Sequence, residues 1–257
     1  MDNFIKLGRF FFAIAMVAFG IQHFIYAHFA AGVGPPWFPG APLGAYLTGA
    51  VLTGTGVAMV LGTKTRWAAA LLGAMLLMFF LLLHVPKVAA SLHDAGRRTS
   101  AFEILAVCGG ALVVAGTRSG ERSGLKGNGA SNKVATVGCF LLALSMVIFG
   151  VDHLLYARFV ATLVPSWIPG HLFWTYLTAA GFIAAGVSNV VGKFGRLGAT
   201  SLGLMFFLWF VLLHSPRVAA SPRNANEWTS AFVALAMCGS SLVVAGSLPR
   251  ENQRTDN

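Results

Sequence analysis

Charge is what this sequence has little of. Only 10% of its 257 residues are Asp, Glu, Lys or Arg, while 56% are hydrophobic; a soluble domain carries about 25% charged residues. So little polar surface cannot coat a fold against water, which argues against a soluble globular enzyme and for an integral membrane protein. Acid is scarcer still, with 8 Asp and Glu against 18 Lys and Arg and a net charge of +10. The cations stand at the ends of apolar runs and form no stripe. That is the pattern of membrane topology, so a lipid bilayer and no nucleic acid is the expected partner. Cysteine is sparse too. Cys108, Cys139 and Cys238 make no CxxC and no even framework, so neither a redox dithiol nor a zinc site is expected. They read as small buried hydrophobes.

What the chain does contain is an internal repeat, the first thing to look for in any sequence. LLHVPKVAAS at Leu82 to Ser91 returns as LLHSPRVAAS at Leu212 to Ser221, a shift of 130 positions. The same shift turns FGIQHFIYAHF at Phe19 into FGVDHLLYARF at Phe149, and PPWFPG at Pro35 into PSWIPG at Pro165. YLT, TSAF and LVVAG at Tyr46, Thr99 and Leu112 recur at Tyr176, Thr229 and Leu242, with no gap needed. A unit has been duplicated and fused. Residues 1–117 form the first repeat, 118–132 a Gly/Ser-rich polar linker expected to be a cytoplasmic, flexible joint, and 133–257 the second repeat.

Each half holds four apolar runs near the length of about 20 residues that crosses a bilayer. They are predicted near 5–27, 42–62, 66–85 and 99–117, then near 134–157, 172–192, 196–215 and 229–247. Helices are the expected form, because backbone polar groups in lipid must pair within the segment. The fold class predicted is therefore all-α: eight transmembrane helices as two pseudo-symmetric four-helix bundles, the copies being parallel repeats. The first run resembles a signal peptide, but its mid-chain copy at Val134 to Tyr156 argues for a retained helix.

Lys and Arg in the loops set the orientation. Lys6, Arg9, Lys64, Arg66, Arg118, Arg122, Lys126, Lys133, Lys193, Arg196, Arg250 and Arg254 fall on one side; Lys87, Arg97, Arg98, Arg158, Arg217 and Arg223 fall on the other. Twelve against six places both termini in the cytoplasm of a bacterial-type inner membrane. His23, His84, His153, His214 and both Pro-x-Trp-x-Pro-Gly loops then share the non-cytoplasmic face.

Gly20, His23 and Tyr26 share a helix face at i, i+3 spacing, as do Gly150, His153 and Tyr156. Glycine there admits a second backbone or a flat ligand beside the imidazole. Pro86 and Pro216 are expected to end or kink their helices at His84 and His214. Three readings stay open for these histidines. Each pins an outer loop by bonding its carbonyls, or imidazole N–H groups donate to a quinone flanked by Tyr26, Trp37 and Tyr46 or by Tyr156, Trp167 and Tyr176. The third is axial ligation of haem by His23 with His84 and by His153 with His214. No carboxylate recurs, since Asp152 replaces Gln22 and Val233 replaces Glu103, so no bare metal site is expected. Ser100 to Glu103 reads as a helix capping box. Lys87 and Arg217 are candidates for binding an anion such as a sulfur oxyanion or carboxylate, or snorkel to the interface.

A four-helix unit with FG-x-x-H, P-x-W-x-PG, YLT and a helix ending H-x-P-[KR] resembles the DoxX-like membrane proteins, over both halves. Some members of that family are associated with thiosulfate:quinone oxidoreductase or other membrane redox assemblies. The resemblance implies a quinone-linked redox subunit acting with a partner that holds the electron-transfer cofactor. The residues it carries over are His23, His84, His153, His214 and their loops. The alternatives from other classes are a small-solute permease, a scaffold without catalytic activity and a bis-His haem protein.

Overall fold

The structure is a computed structural model and describes residues 3–27, 41–117 and 130–248. Among the described residues there is no strand, and eight helices are long and apolar enough to cross a membrane. They are α1 (Asn3–Ile25), α2 (Ala41–Val60), α3 (Thr65–Ala90), α4 (Ala95–Gly116), α5 (Ala130–Leu155), α6 (His171–Val191), α7 (Gly195–Ala220) and α8 (Ala225–Ser247). A short helix, Ala157–Ala161, follows α5. This is the architecture of a multi-pass membrane protein. Of the predicted linker 118–132, residues 118–129 lie outside the described residues, as do the first Pro-x-Trp-x-Pro-Gly loop and both chain ends, while 130–132 already form the first turn of α5 and are not a flexible joint.

Two sets of boundaries differ from the sequence expectation, each for a local reason. Helices α3 and α7 do not stop at His84 and His214. Each widens into one π-helical turn, Phe80–His84 and Phe210–His214, and runs on through its proline. Proline lacks an N–H, and its ring collides with the carbonyl four residues back in an α-helix. Widening the turn moves that carbonyl aside, so the N–H of Val85 reaches Phe80 O and that of Ser215 reaches Phe210 O. Helices α4 and α8 begin early, capped by Asp94 and Asn224. The Asp94 carboxylate accepts from the N–H of Arg97 at 3.1 Å, and the Asn224 side chain from that of Asn226 at 3.0 Å. Ser100 and Glu103 therefore sit inside α4, and the capping-box reading is withdrawn.

The helices pack in chain order around a closed circuit. Each is in extensive contact with the next, and α1 returns onto α8. Helices α4 and α8 also touch each other and are the most buried of the eight. The first helix of each half thus lies on the last helix of the other. In lipid the tails are as apolar as Leu, so helices associate by close packing of small residues. A Cβ on Gly8 would sit 2.5 Å from Gly239 O, and one on Gly138 2.5 Å from Gly109 O. These two contacts are related by the shift of 130. Where α4 meets α8, Gly110 accommodates the hydroxyl of Ser240, and Phe12, Met16, Val114, Leu142, Met146 and Val244 fill the surrounding core.

Valine at Gly109 or Gly239 should force the backbones apart. A loss of about 1–3 kcal/mol, the usual cost of overpacking, is expected as a lower melting temperature in detergent. Gly54→Ala, where nothing lies within 4 Å of an added Cβ, should shift it little.

Candidate functional site

The recurrent histidines are held in two ways. His23, near the end of α1, and His153, near the end of α5, each place Nδ1 2.8 Å from a carbonyl one turn back, Phe19 O and Phe149 O. A carbonyl only accepts, so Nδ1 carries the hydrogen. In the neutral ring, Nε2 is then left with a lone pair. The expectation of a bond to an outer-loop carbonyl is corrected for this pair: the imidazoles are fixed by their own helices. The quinone reading, as first framed, needed an N–H donor. With Nδ1–H engaged, the free nitrogen of a neutral ring is an acceptor.

The surroundings of the two rings differ. His153 stacks on Trp209 of α7, centroids 6.1 Å apart and planes 15° off parallel, and meets Phe182 of α6 edge-on at 5.2 Å. Phe206 completes the cluster, 5.8 Å from Trp209. The matching positions in the first half are Leu52, Leu76 and Phe79. Trp209 was not singled out from the sequence, because its counterpart is Phe and a lone aromatic in an apolar run reads as packing. The glycine beside each imidazole has a structural occupant. Added Cβ atoms on Gly20 and Gly150 would lie 2.7 Å from Gly49 O and 2.8 Å from Ala179 O. Helices α2 and α6 fill that space, so no flat ligand enters there.

His84 and His214 close the two π-helical turns. Nδ1 of His214 is buried without a hydrogen-bond partner among the described residues, as is Nε2 of Gln22. Such turns concentrate at functional sites, and a buried unpaired polar atom calls for an explanation. Among the described residues no group of three or more His, Cys, Asp or Glu could hold a metal ion.

The remaining candidates disperse. Tyr156 turns away from His153: its hydroxyl donates to His93 O at 3.1 Å, and its ring lies 5.5 Å under the Arg98 guanidinium. Tyr46 stacks on Phe24 at 6.2 Å, and Tyr26 is half-buried with its backbone N–H on Gln22 O. Trp167 is exposed, and its loop is held by Trp174, whose Nε1 donates to Pro169 O at 3.0 Å. Trp37 lies outside the described residues. Arg217 of the anion pair already faces Glu227, with Nε 3.7 Å from a carboxylate oxygen, and Lys87 is exposed with its carbonyl accepting from Arg97 at 3.4 Å.

One polar pairing was missed, and one acid that was read as part of a helix cap takes a different place. Arg98 on α4 grips Asp152 on α5, with Nε at 2.9 and 3.2 Å from the carboxylate oxygens and Nη2 at 2.6 Å, while Nη1 donates to Leu92 O at 2.8 Å. Asp152 is only 7% exposed. Charges 54 residues apart, on different helices and without a copy in the other half, leave no spacing signal. Glu103 is that acid. It lies on the side of α4 that faces α8, one and two heptads from Gly110 and Thr117, which meet Ser240 and Ser247. Among the described residues it makes no hydrogen bond or ion pair, and it is a carboxyl within a membrane-spanning helix.

Comparison of the chain with protein-family models, curated proteins and solved structures returned no match.

Arg98→Ala should cost about 3–5 kcal/mol, because it strands the buried Asp152 carboxylate, and Asp152→Ala should cost less, because the Arg98 guanidinium is partly exposed. The double variant should cost less than the sum of the two, read from thermal melts. Glu103→Val, which copies Val233, should raise stability by about 1–3 kcal/mol, the cost of holding a half-buried carboxyl in an apolar span without a hydrogen bond; a fall in the melt would give the carboxyl a structural bond.

Proposed function

We propose that this chain is a tandem DoxX-like protein of a bacterial-type inner membrane, with both termini cytoplasmic. In this reading its histidine end supports quinone-linked redox chemistry at the non-cytoplasmic face. The observation that carries it is the fixed His153 ring, with Nδ1–H on Phe149 O, Trp209 and Phe182 against its faces, and Nε2 left as an acceptor. His23 repeats the hydrogen bond, and the unpaired Nδ1 of His214 adds a second nitrogen at the same end.

An acceptor nitrogen suits the hydroxyl of a quinol better than the carbonyl of a quinone. Nε2 of His153 would accept a hydrogen bond from one quinol hydroxyl and could take one of the two protons released on oxidation. The bond to Phe149 O would stabilise the imidazolium, while the second proton would pass to water at the membrane surface. Trp209 holds the ring in one orientation and excludes water from one face. The electrons pass to a partner subunit carrying the electron-transfer cofactor, as the family resemblance implies. The aromatic cage belongs to the second half, so His153 and His214 are the working pair and His23 and His84 the weaker one.

A second reading, a small-solute permease, draws on Glu103, since an ionisable residue inside a spanning helix marks a pathway by default. Uptake into proteoliposomes that is lost in Glu103→Val would favour it.

The test is to purify the protein in mild detergent and extract bound small molecules for mass spectrometry. A quinone or quinol is expected, reduced at least ten-fold in His153→Ala and in Trp209→Leu and retained in His23→Ala. A protein that carries none, and takes up none when short-chain quinol is added, would overturn the reading. A Soret band would move it to haem.

A further inference from the structure

The two ends of the helix circuit handle charge differently. At the histidine end, three of the six cations are paired with acids, Arg97 with Asp94 at 3.1 Å, Arg98 with Asp152 at 2.6 Å and Arg217 with Glu227 at 3.7 Å, while Lys87, Arg158 and Arg223 stand beside them. At the opposite end the described residues include Lys6, Arg9, Lys64, Arg66, Lys133, Lys193 and Arg196, and no acid at all. Two of these cations serve the fold. Arg9 donates to Thr117 O at 2.6 Å and Arg196 to Leu248 O at 3.1 Å, each engaging the carbonyl that closes α4 or α8. Lys6, Lys64, Arg66, Lys133 and Lys193 are exposed. The segments that continue from this end, outside the described residues, hold five cations and four acids and so do not reverse the balance.

The α2–α3 and α6–α7 turns bring cations and large aromatics to the same level. Lys64 and Phe194, equivalent under the shift of 130, both take the left-handed backbone conformation, at φ 46 and 56. Trp67, beside Arg66, is 73% exposed, and Phe194, beside Lys193, is 63% exposed. An exposed ring next to an exposed cation at the end of a spanning helix suits the headgroup layer, where aromatics sit at the apolar boundary and ammonium groups reach phosphate.

We infer that this end of the molecule is a binding surface for anionic phospholipid headgroups, with the α2–α3 and α6–α7 turns as its principal contacts. Charge complementarity selects the occupant: five exposed cations with no acid among the described residues meet a phosphate without a second charge, whereas a zwitterionic headgroup brings its own ammonium. The inference does not depend on which way the chain is inserted, or on the chemistry at the histidine end.

The full-length protein would be reconstituted into vesicles of phosphatidylcholine alone and of equal parts phosphatidylcholine and phosphatidylglycerol, then released gently for mass spectrometry of retained lipid. Phosphatidylglycerol should be enriched over phosphatidylcholine on the protein, and its presence should raise the melting temperature. Each removed cation should cut the enrichment up to about five-fold, so Lys64→Gln/Arg66→Gln/Lys193→Gln should abolish most of it with the melt in pure phosphatidylcholine unchanged. Lys87→Gln/Arg223→Gln, at the other end, should leave it intact. No enrichment in the unmodified protein, or equal enrichment in the triple variant, would overturn the inference. So would an equal stabilisation by inorganic phosphate in neutral detergent, which would assign the surface to a free anion.

Discussion

The backbone-to-backbone approach of α1 on α8 and of α5 on α4 is the constraint on which the rest of this structure depends. At Gly8–Gly239 and Gly138–Gly109 an added Cβ would come within 2.5–2.6 Å of the opposing carbonyl oxygen. Separations that short let Cα–H groups meet carbonyls and bring many atoms into dispersion contact. Nothing else at these points could hold helices together in lipid, where burying Leu against Leu gains little over Leu against an acyl chain. Because each contact joins the first helix of one half to the last helix of the other, separating the halves would open both.

Duplication supplied two copies of everything, and the copies then diverged where they meet. Between α4 and α5 the histidine end is closed by ions: Arg98 on Asp152, with Tyr156 beneath the guanidinium. Between α8 and α1 the equivalent positions are Trp228, Gln22 and Tyr26, and the closure is aromatic. Trp228 stacks on Phe232 at 5.9 Å, and Phe232 meets Phe19 at 6.4 Å. The imidazoles diverged in the same sense. His153 has an aromatic cage from α6 and α7, while two of the three equivalent positions in the first half, Leu52 and Leu76, are aliphatic. The two halves thus present different chemistry at equivalent positions, most of all around the imidazoles of His23 and His153.

Much of the fold was legible in the sequence. Eight apolar runs of spanning length gave eight helices, because in lipid the backbone has no other way to pair its polar groups along an open segment. What was not legible came from effects that composition does not record. Pro86 and Pro216 signal a break, yet the chain answered with an extra residue per turn. Ser100-Ala-Phe-Glu103 matches a capping box letter for letter, but Asp94 lies upstream and caps first. The pairing of Arg98 with Asp152 required knowing that α4 and α5 are neighbours, which no periodicity within either helix states. Among the candidates, His23, His84, His153 and His214 stand out in the sequence through their repetition. Trp209 does not, because it is not repeated.

The π-helical turns tie the fold to the chemistry proposed for it. One extra residue in a turn rotates everything beyond it by about 100° relative to the helix before it. Without that rotation, the residues before and after Pro86 and Pro216 would continue the same faces, and the segment ending in Lys87 or Arg217 would follow the apolar stripe of its helix. With it, Trp209 stays on the face that meets His153, while Arg217, beyond the turn, swings to reach Glu227 on α8. The side chain of Ser215 adds a second hydrogen bond to Phe210 O, at 2.7 Å, the acceptor its backbone N–H already uses. His214 sits at the pivot, its Nδ1 buried and unpaired among the described residues. A proline two residues after the histidine is thus the local cause of three features at once. It widens the turn, separates the apolar stripe from the cation, and leaves an imidazole whose backbone cannot supply the partner that His23 and His153 find one turn back.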